Sequence, residues 1–219
     1  MGGYILSSQR YKKYHLQLKN QGASLLMFGR ILKIGIPTGF QFIFEVSAFG
    51  TAAIMMGWIG VNALAGHQIA LNLASISYML ATGLATAGMI RVSNQIGKND
   101  FNAMREAGMV VFALVMGFMF VCGVIFFAFR FFLPTLYIDD PEVISLSASL
   151  LIIAGLFQIS DGVQVVALGV LRGMEDVKVP TLVTLMAYWI LGLPLGYVLA
   201  FHLGFEEKGI WYGLLIGLT

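Results

Sequence analysis

The chain has 219 residues, of which 58% are hydrophobic and only 11% charged. An ordinary soluble domain carries about 25% charged residues, so a water-soluble globule of this composition lacks the polar surface to cover itself. A disordered chain and a secreted disulfide scaffold are excluded, and a net charge of +2 is too small for a nucleic-acid module; the composition is that of an all-α polytopic transmembrane helix bundle.

The first residues are polar and basic, with Arg10, Lys12, Lys13 and Lys19 separated by Gln and Asn. They hold no uninterrupted apolar core of about 7–15 residues, which a signal peptide needs. Residues 1–29 therefore read as a basic segment at the membrane surface, and residues 30–219 as the membrane-spanning part.

Val46 to Ile90 contains no Asp, Glu, Lys or Arg. That is too long for one span, since about 20 apolar residues cross the hydrocarbon. A break is expected around Trp58-Ile59-Gly60-Val61-Asn62, which predicts helices over about 34–60 and 64–92. The polar stretch 94–105 reads as a loop, and a third helix follows over about 107–133. Pro134, Asp139, Asp140 and Pro141 mark a turn before a fourth helix over about 143–171. A fifth is expected over 180–205, kinked at Pro194 because proline removes a backbone hydrogen bond. A sixth starts near Gly209 and is cut off at Thr219, too short to span at about 1.5 Å per residue. Gly83, Ala87, Gly88, Gly192 and Gly196 are small enough to let helix backbones approach closely.

Lys and Arg positions set orientation in a membrane. Arg10, Lys12, Lys13, Lys19, Arg30, Lys33, Arg91, Lys98, Arg105, Arg172 and Lys178 fall on one side of this arrangement, and only Arg130 and Lys208 on the other. Every second connection is basic, so the N-terminus is expected to be cytoplasmic.

Two carboxylates interrupt the apolar spans. Glu45 lies in the first helix and Asp161 in the fourth, with no Lys or Arg inside the spans to pair with either. An acid at bilayer depth is costly and is a functional hypothesis by default. Glu45 is twelve residues from Lys33, and Asp161 eleven from Arg172. At about 1.5 Å per residue both sit roughly 16–18 Å in, near the middle of a core about 30 Å thick. That is the depth at which transporters hold substrate and coupling ion.

Thr38, Gln41 and Glu45 are spaced by three and four, so they share a helix side. Ala48 and Ala52 continue that side and are expected to leave it open. Gln158, Asp161 and Gln164 are spaced by three and are expected to cluster on one side of the fourth helix. Such stripes predict a water-filled cavity. A carboxylate there can bind a proton or, with amide and carbonyl oxygens beside it, Na⁺ as a hard cation. The residues leave both open, so Glu45 and Asp161 are candidate Na⁺ ligands, and Gln41, Gln158 and Gln164 candidate cation- or substrate-binding residues. Met56, Met79, Met116, Met186, Tyr78, Phe157 and Tyr188 are candidates for an adaptable apolar pocket. His67 and His202 read as interfacial or packing residues. Enzyme signatures are absent: there is no His-Glu-x-x-His, Gly-x-Ser-x-Gly or Walker A lysine. The chain is therefore read as a non-enzyme needing no cofactor beyond a coupling ion.

A set of motifs in order adds a family reading. They are Gly35-Ile-Pro-Thr-Gly-Phe-Gln-Phe-Ile-Phe-Glu45, Ala65-Gly-His-Gln-Ile-Ala70, Arg91-Val-Ser-Asn-Gln-Ile-Gly97, Gln158-Ile-Ser-Asp-Gly-Val-Gln164, Leu171-Arg-Gly173, Val179-Pro180 and Tyr188-Trp-Ile-Leu-Gly-Leu-Pro194. With them the chain from about Arg30 resembles the second six-helix lobe of the multidrug and toxic compound extrusion (MATE) family, of the NorM type. The resemblance implies a multi-pass protein of the bacterial inner membrane. It implies an antiporter that exports cationic amphipathic compounds against Na⁺ or H⁺, with two lobes alternating access. It places Glu45 and Asp161 on the second lobe's acidic positions, and it makes an N-terminal lobe the partner of this one. Some relatives carry tyrosine one turn before the aspartate; here Phe157 offers no oxygen ligand. Two alternatives are a lipid-linked oligosaccharide flippase of related architecture, which wants a more cationic cavity, and a non-transporting membrane scaffold subunit.

Overall fold

The computed structural model describes residues 24–219. The basic segment expected over 1–29 therefore lies largely outside the described residues. Helix α1 spans Leu25–Ile59, α2 Val61–Gly97, α3 Phe101–Ala128, the short α4 Phe132–Thr135, α5 Pro141–Gly173, α6 Lys178–His202 and α7 Glu206–Leu218. No strand occurs among the described residues. Helices α1, α2, α3, α5 and α6 are each long and apolar enough to cross a membrane. At 37 residues, α2 is roughly 55 Å long, well beyond the hydrocarbon. Its last turns therefore carry Arg91, Asn94 and Lys98 into the aqueous layer as helix.

That extension accounts for the main differences from the predicted boundaries. Helix α1 starts at Leu25 rather than near residue 34, where the Ser24 hydroxyl accepts the Met27 N–H at 3.4 Å. The stretch 94–105 is not a loop. It is the end of α2 and the start of α3, joined through Asn99 in the left-handed region (φ 57°) and Asp100, whose carboxylate accepts the Ala103 N–H at 3.0 Å. Polarity marked the exit from the membrane there, and side-chain capping kept the backbone helical. The predicted 107–133 helix ends at Ala128, and α4 follows separately. Helix α5 opens on Asp140, which accepts the Glu142 N–H at 2.9 Å, with Pro141 at its first position. The break expected at 58–62 is the single residue Gly60.

Helix α5 is the centre of the bundle and packs against α2, α3 and α7. One face of α3 supplies Val115, Met119 and Phe126 to the interior, while Phe112, Phe120 and Phe127 point outward, as lipid-facing side chains do. Helix α6 is not uniformly α-helical. It turns π-helical over Met186–Gly192 and Val198–His202, on either side of the segment holding Pro194. The expected disturbance at Pro194 is thus taken up by wider turns that re-pair the backbone.

Helices α6 and α7 meet backbone to backbone. A Cβ on Gly213 would collide with the Gly196 backbone, and one on Gly217 would lie 2.9 Å from the Gly192 Cα. Gly192 and Gly196 therefore serve close approach as expected. Gly83 does not, because nothing lies within 4 Å of a Cβ built there, and Ala87 is exposed. Gly213→Val is expected to cost at least about 1–3 kcal/mol, read as a lower thermal midpoint in detergent. Gly83→Ala should leave the midpoint unchanged or raise it. Equal behaviour of the two variants would contradict this packing.

Candidate functional site: an acid-lined cavity within the bundle

Helix α1 turns Phe42, Glu45, Val46, Phe49, Gly50 and Ala53 to one side, a spacing of three and four that defines a single helical face. Opposite stand Gln68, Leu71, Ala74, Ser75 and Tyr78 of α2. Phe157 and Asp161 of α5 and Trp211 of α7 close the back. Together they enclose a cavity of about 500 Å³. Glu45 and Asp161 are each 7% exposed, and both line it. The two acids that depth arguments placed at one level thus share one chamber. The Tyr78 hydroxyl donates to Glu45 Oε1 at 3.1 Å, which supplies an oxygen-bearing group where Phe157 lacks one.

None of the three glutamines lines that cavity. Gln41 is buried and accepts from Arg172 Nη2 at 3.2 Å through its Oε1, while its Nε2 has no partner. Gln158 donates to the Ser77 hydroxyl at 2.7 Å and joins α5 to α2. Gln164 accepts from the Tyr188 hydroxyl at 3.3 Å and lines a second cavity of about 640 Å³ between α5, α6 and α7. The expectation that Gln158, Asp161 and Gln164 share one side fails for a geometric reason. Three residues advance a helix by about 300°, so each step turns the face by about 60° and the first and last point about 120° apart. Ala48 and Ala52 do not leave an open face either; both are fully buried in the core. Glu45 sits at the seam between that packed side and the cavity side.

Sequence reasoning treated Arg172 only as the cytoplasmic end of its helix. Its guanidinium instead turns back into the bundle, 4.9 Å over the Phe42 ring and bonded to Gln41, one turn from Glu45. A cation is thus held nearer the acids than expected, though the pairing is with an amide and not a carboxylate. Below it, Thr38, Phe42, Ser93, Asn94 and Arg172 line a wide cavity at the basic end of the bundle. Of the candidate pocket residues, Tyr78 and Phe157 line the acid cavity. Met56 is buried in the core, Met79 is 73% exposed and Met186 half-exposed. Met116 packs against Gly162. Tyr188 belongs to the second cavity. Phe42, Phe49 and Trp211 were missed. No group of three or more His, Cys, Asp or Glu side chains able to hold a metal ion occurs among the described residues.

Five helices long and apolar enough to cross a membrane, with two carboxylates sharing one cavity among them, define a polytopic helical membrane protein. Residues 37–198 match the MatE protein family. The chain is 37% identical over 221 residues to the probable multidrug resistance protein NorM of Agrobacterium fabrum, covering 99% of this chain and 48% of that one. It is 39% identical over 218 residues to the protein of the same name from Brucella suis, covering 97% and 46%. Among solved structures, the eukaryotic MATE transporter AtDTX14 superposes with a TM-score of 0.87 at 24% identity, over 99% of this chain and 48% of that one. An outward-facing multidrug resistance MATE transporter of the MOP superfamily does so with a TM-score of 0.78 at 17% identity, over 86% and 42%. The chain belongs to the MatE family. It spans about half the length of the curated relatives it matches.

Arg172 ties α5 to α1 through one amide and one ring. Arg172→Ala leaves the buried Gln41 amide without any partner, which costs about 1–3 kcal/mol. Lysine lacks the planar guanidinium that stacks on Phe42 while donating to Gln41, so Arg172→Lys should recover only part of the loss. Thermal melts in detergent check the order wild type, Lys, Ala.

Proposed function

We propose that this chain is one lobe of a multidrug exporter that antiports cationic amphipathic compounds against Na⁺ or H⁺. The observation that carries the reading is the shared cavity. Two carboxylates from different helices meet in it, its walls are largely aromatic and aliphatic, and no Lys or Arg lines it. A flat organic cation fits such a chamber through charge and ring contact together. A pyrophosphate headgroup, the cargo of the flippase alternative, would meet only negative charge. The relatives' printed names, multidrug resistance proteins, point the same way.

Glu45 and Asp161 are the proposed cation-binding pair. Drug and coupling ion compete for them, and each shifts the inward–outward equilibrium only by its difference in affinity for the two states. The Tyr78 hydroxyl orients Glu45. Gln41, Gln158 and Gln164 hold helices in register around the pair rather than touching cargo. No step calls for bond-making chemistry or a resident cofactor. The partners are the bilayer and a first lobe that pairs with this one across the cavity mouth. The proposed location is the bacterial inner membrane, with the N-terminus cytoplasmic. Arg30, Lys33, Arg91, Lys98, Arg105 and Lys178 then face the cytoplasm, as the positive-inside rule requires.

The test joins this lobe to a matching first lobe in proteoliposomes and follows ethidium efflux under a Na⁺ or a pH gradient. Glu45→Gln and Asp161→Asn are each expected to lower the gradient-driven rate at least about tenfold, about 1.4 kcal/mol. The gradient that drives wild type identifies the ion. Efflux untouched by both changes would favour the scaffold reading. For orientation, Asn99→Cys in a Cys122→Ala background should react with an impermeant thiol reagent only after cells are opened. Asp139→Cys should react in intact spheroplasts, and the reverse pattern would invert the topology.

A further inference from the structure

We infer that Trp211 is a specificity-determining wall of the acid cavity, selecting aromatic over aliphatic organic cations, and that His67 is the residue that positions it. The inference rests on the proposed reading of that cavity as a cation site.

Trp211 comes from α7 and is 2% exposed, yet its ring lines the cavity beside Asp161. Its indole N–H donates to Nδ1 of His67 on α2 at 3.1 Å. His67 is 0% exposed and does not line the cavity. The polar edge of the indole is therefore turned away from the chamber, and carbon faces the ligand space. Two aromatic contacts fix the plane. The imidazole meets the indole at 5.8 Å and 73°, and Phe157, one turn before Asp161, meets it at 6.2 Å and 65°. Phe157 in turn packs edge-on against Phe49, another cavity wall, at 6.2 Å. The rings form a continuous surface running up to the carboxylate.

The hydrogen bond also defines what His67 does. A nitrogen that accepts from an indole carries no proton, so the ring proton sits on Nε2, which is buried and has no partner. Protonating Nδ1 would set two donors against each other and release the indole. His67 is thus a neutral acceptor that holds a tryptophan. The fold tolerates an unpaired Nε2–H, which is costly; leucine would fill the same space without that cost but could not orient Trp211.

The experiment uses the chain purified in detergent with Trp58→Phe and Trp189→Phe, so that emission reports Trp211 alone. Tetraphenylphosphonium is titrated directly, and tetraethylammonium is followed by competition. His67→Leu is expected to weaken tetraphenylphosphonium about tenfold, leave tetraethylammonium within about twofold and shift the Trp211 emission. His67→Asn, whose Oδ1 can stand where Nδ1 stood, should restore both the affinity and the emission. Trp211→Leu, which leaves no emitter and is followed by equilibrium dialysis of the two radiolabelled cations, should reproduce the selective loss, so an unfolded His67→Leu would not end the test. Equal weakening of both cations, or unchanged tetraphenylphosphonium binding in His67→Leu and Trp211→Leu while Asp161→Asn abolishes it, would overturn this inference alone. Binding unaffected by Asp161→Asn and Glu45→Gln would overturn the cavity's reading as a cation site, and this inference with it.

Discussion

Two carboxyl groups held within a hydrocarbon slab set the terms for everything around them. Each acid at that depth costs about 2.5–3.5 kcal/mol on insertion scales. The bundle gathers Glu45 and Asp161 into one chamber, where a tyrosine hydroxyl donates to the first. The chamber needs rigid walls, and α5 provides them as the most buried helix, with α2, α3 and α7 packed on it. The polar ties follow the same logic. Gln158 to Ser77, Arg172 to Gln41, Tyr188 to Gln164 and Trp211 to His67 all link separate helices of the bundle, not residues of one helix.

Much of this was legible in the chain. Charge-free runs locate the spans because hydrocarbon tolerates few charges, and the two acids stand out against them for the same reason. Their common depth follows from counting residues to the nearest basic end. The faces of the helices were less legible. A spacing of three was read as a shared side, but Gln164 had already rotated away to another cavity. The partners were illegible. Trp211 and His67 are 144 residues apart, and Arg172 and Gln41 are 131 apart. Nothing local distinguishes an arginine that leaves the membrane from one that folds back over Phe42. A better signal for α1 was available: 42, 45, 46, 49, 50 and 53 trace one helical face, and that face carries the cavity.

Helix α6 is the least regular helix of the bundle. It holds two π-helical stretches, and its neighbour α7 approaches it backbone to backbone at Gly192, Gly196 and Ala200. Helix α1 contains Pro37, whose carbonyl accepts the Thr181 hydroxyl at 3.0 Å, and farther along the Phe44 carbonyl accepts the Trp189 indole N–H at 3.0 Å. The helix that carries Glu45 is thus fastened to α6 at two points, about two turns before the acid and at the residue next to it.

The central claim is that Glu45 and Asp161 hold organic cation and coupling ion at one site. Equilibrium dialysis of radiolabelled tetraphenylphosphonium against the detergent-solubilised chain, across Na⁺ concentration and across pH, tests it most directly. The account predicts that one of the two displaces the label competitively, and that the Glu45→Gln/Asp161→Asn double variant loses both the high-affinity binding and its sensitivity. Identical isotherms for wild type and double variant at every Na⁺ concentration and pH would contradict it.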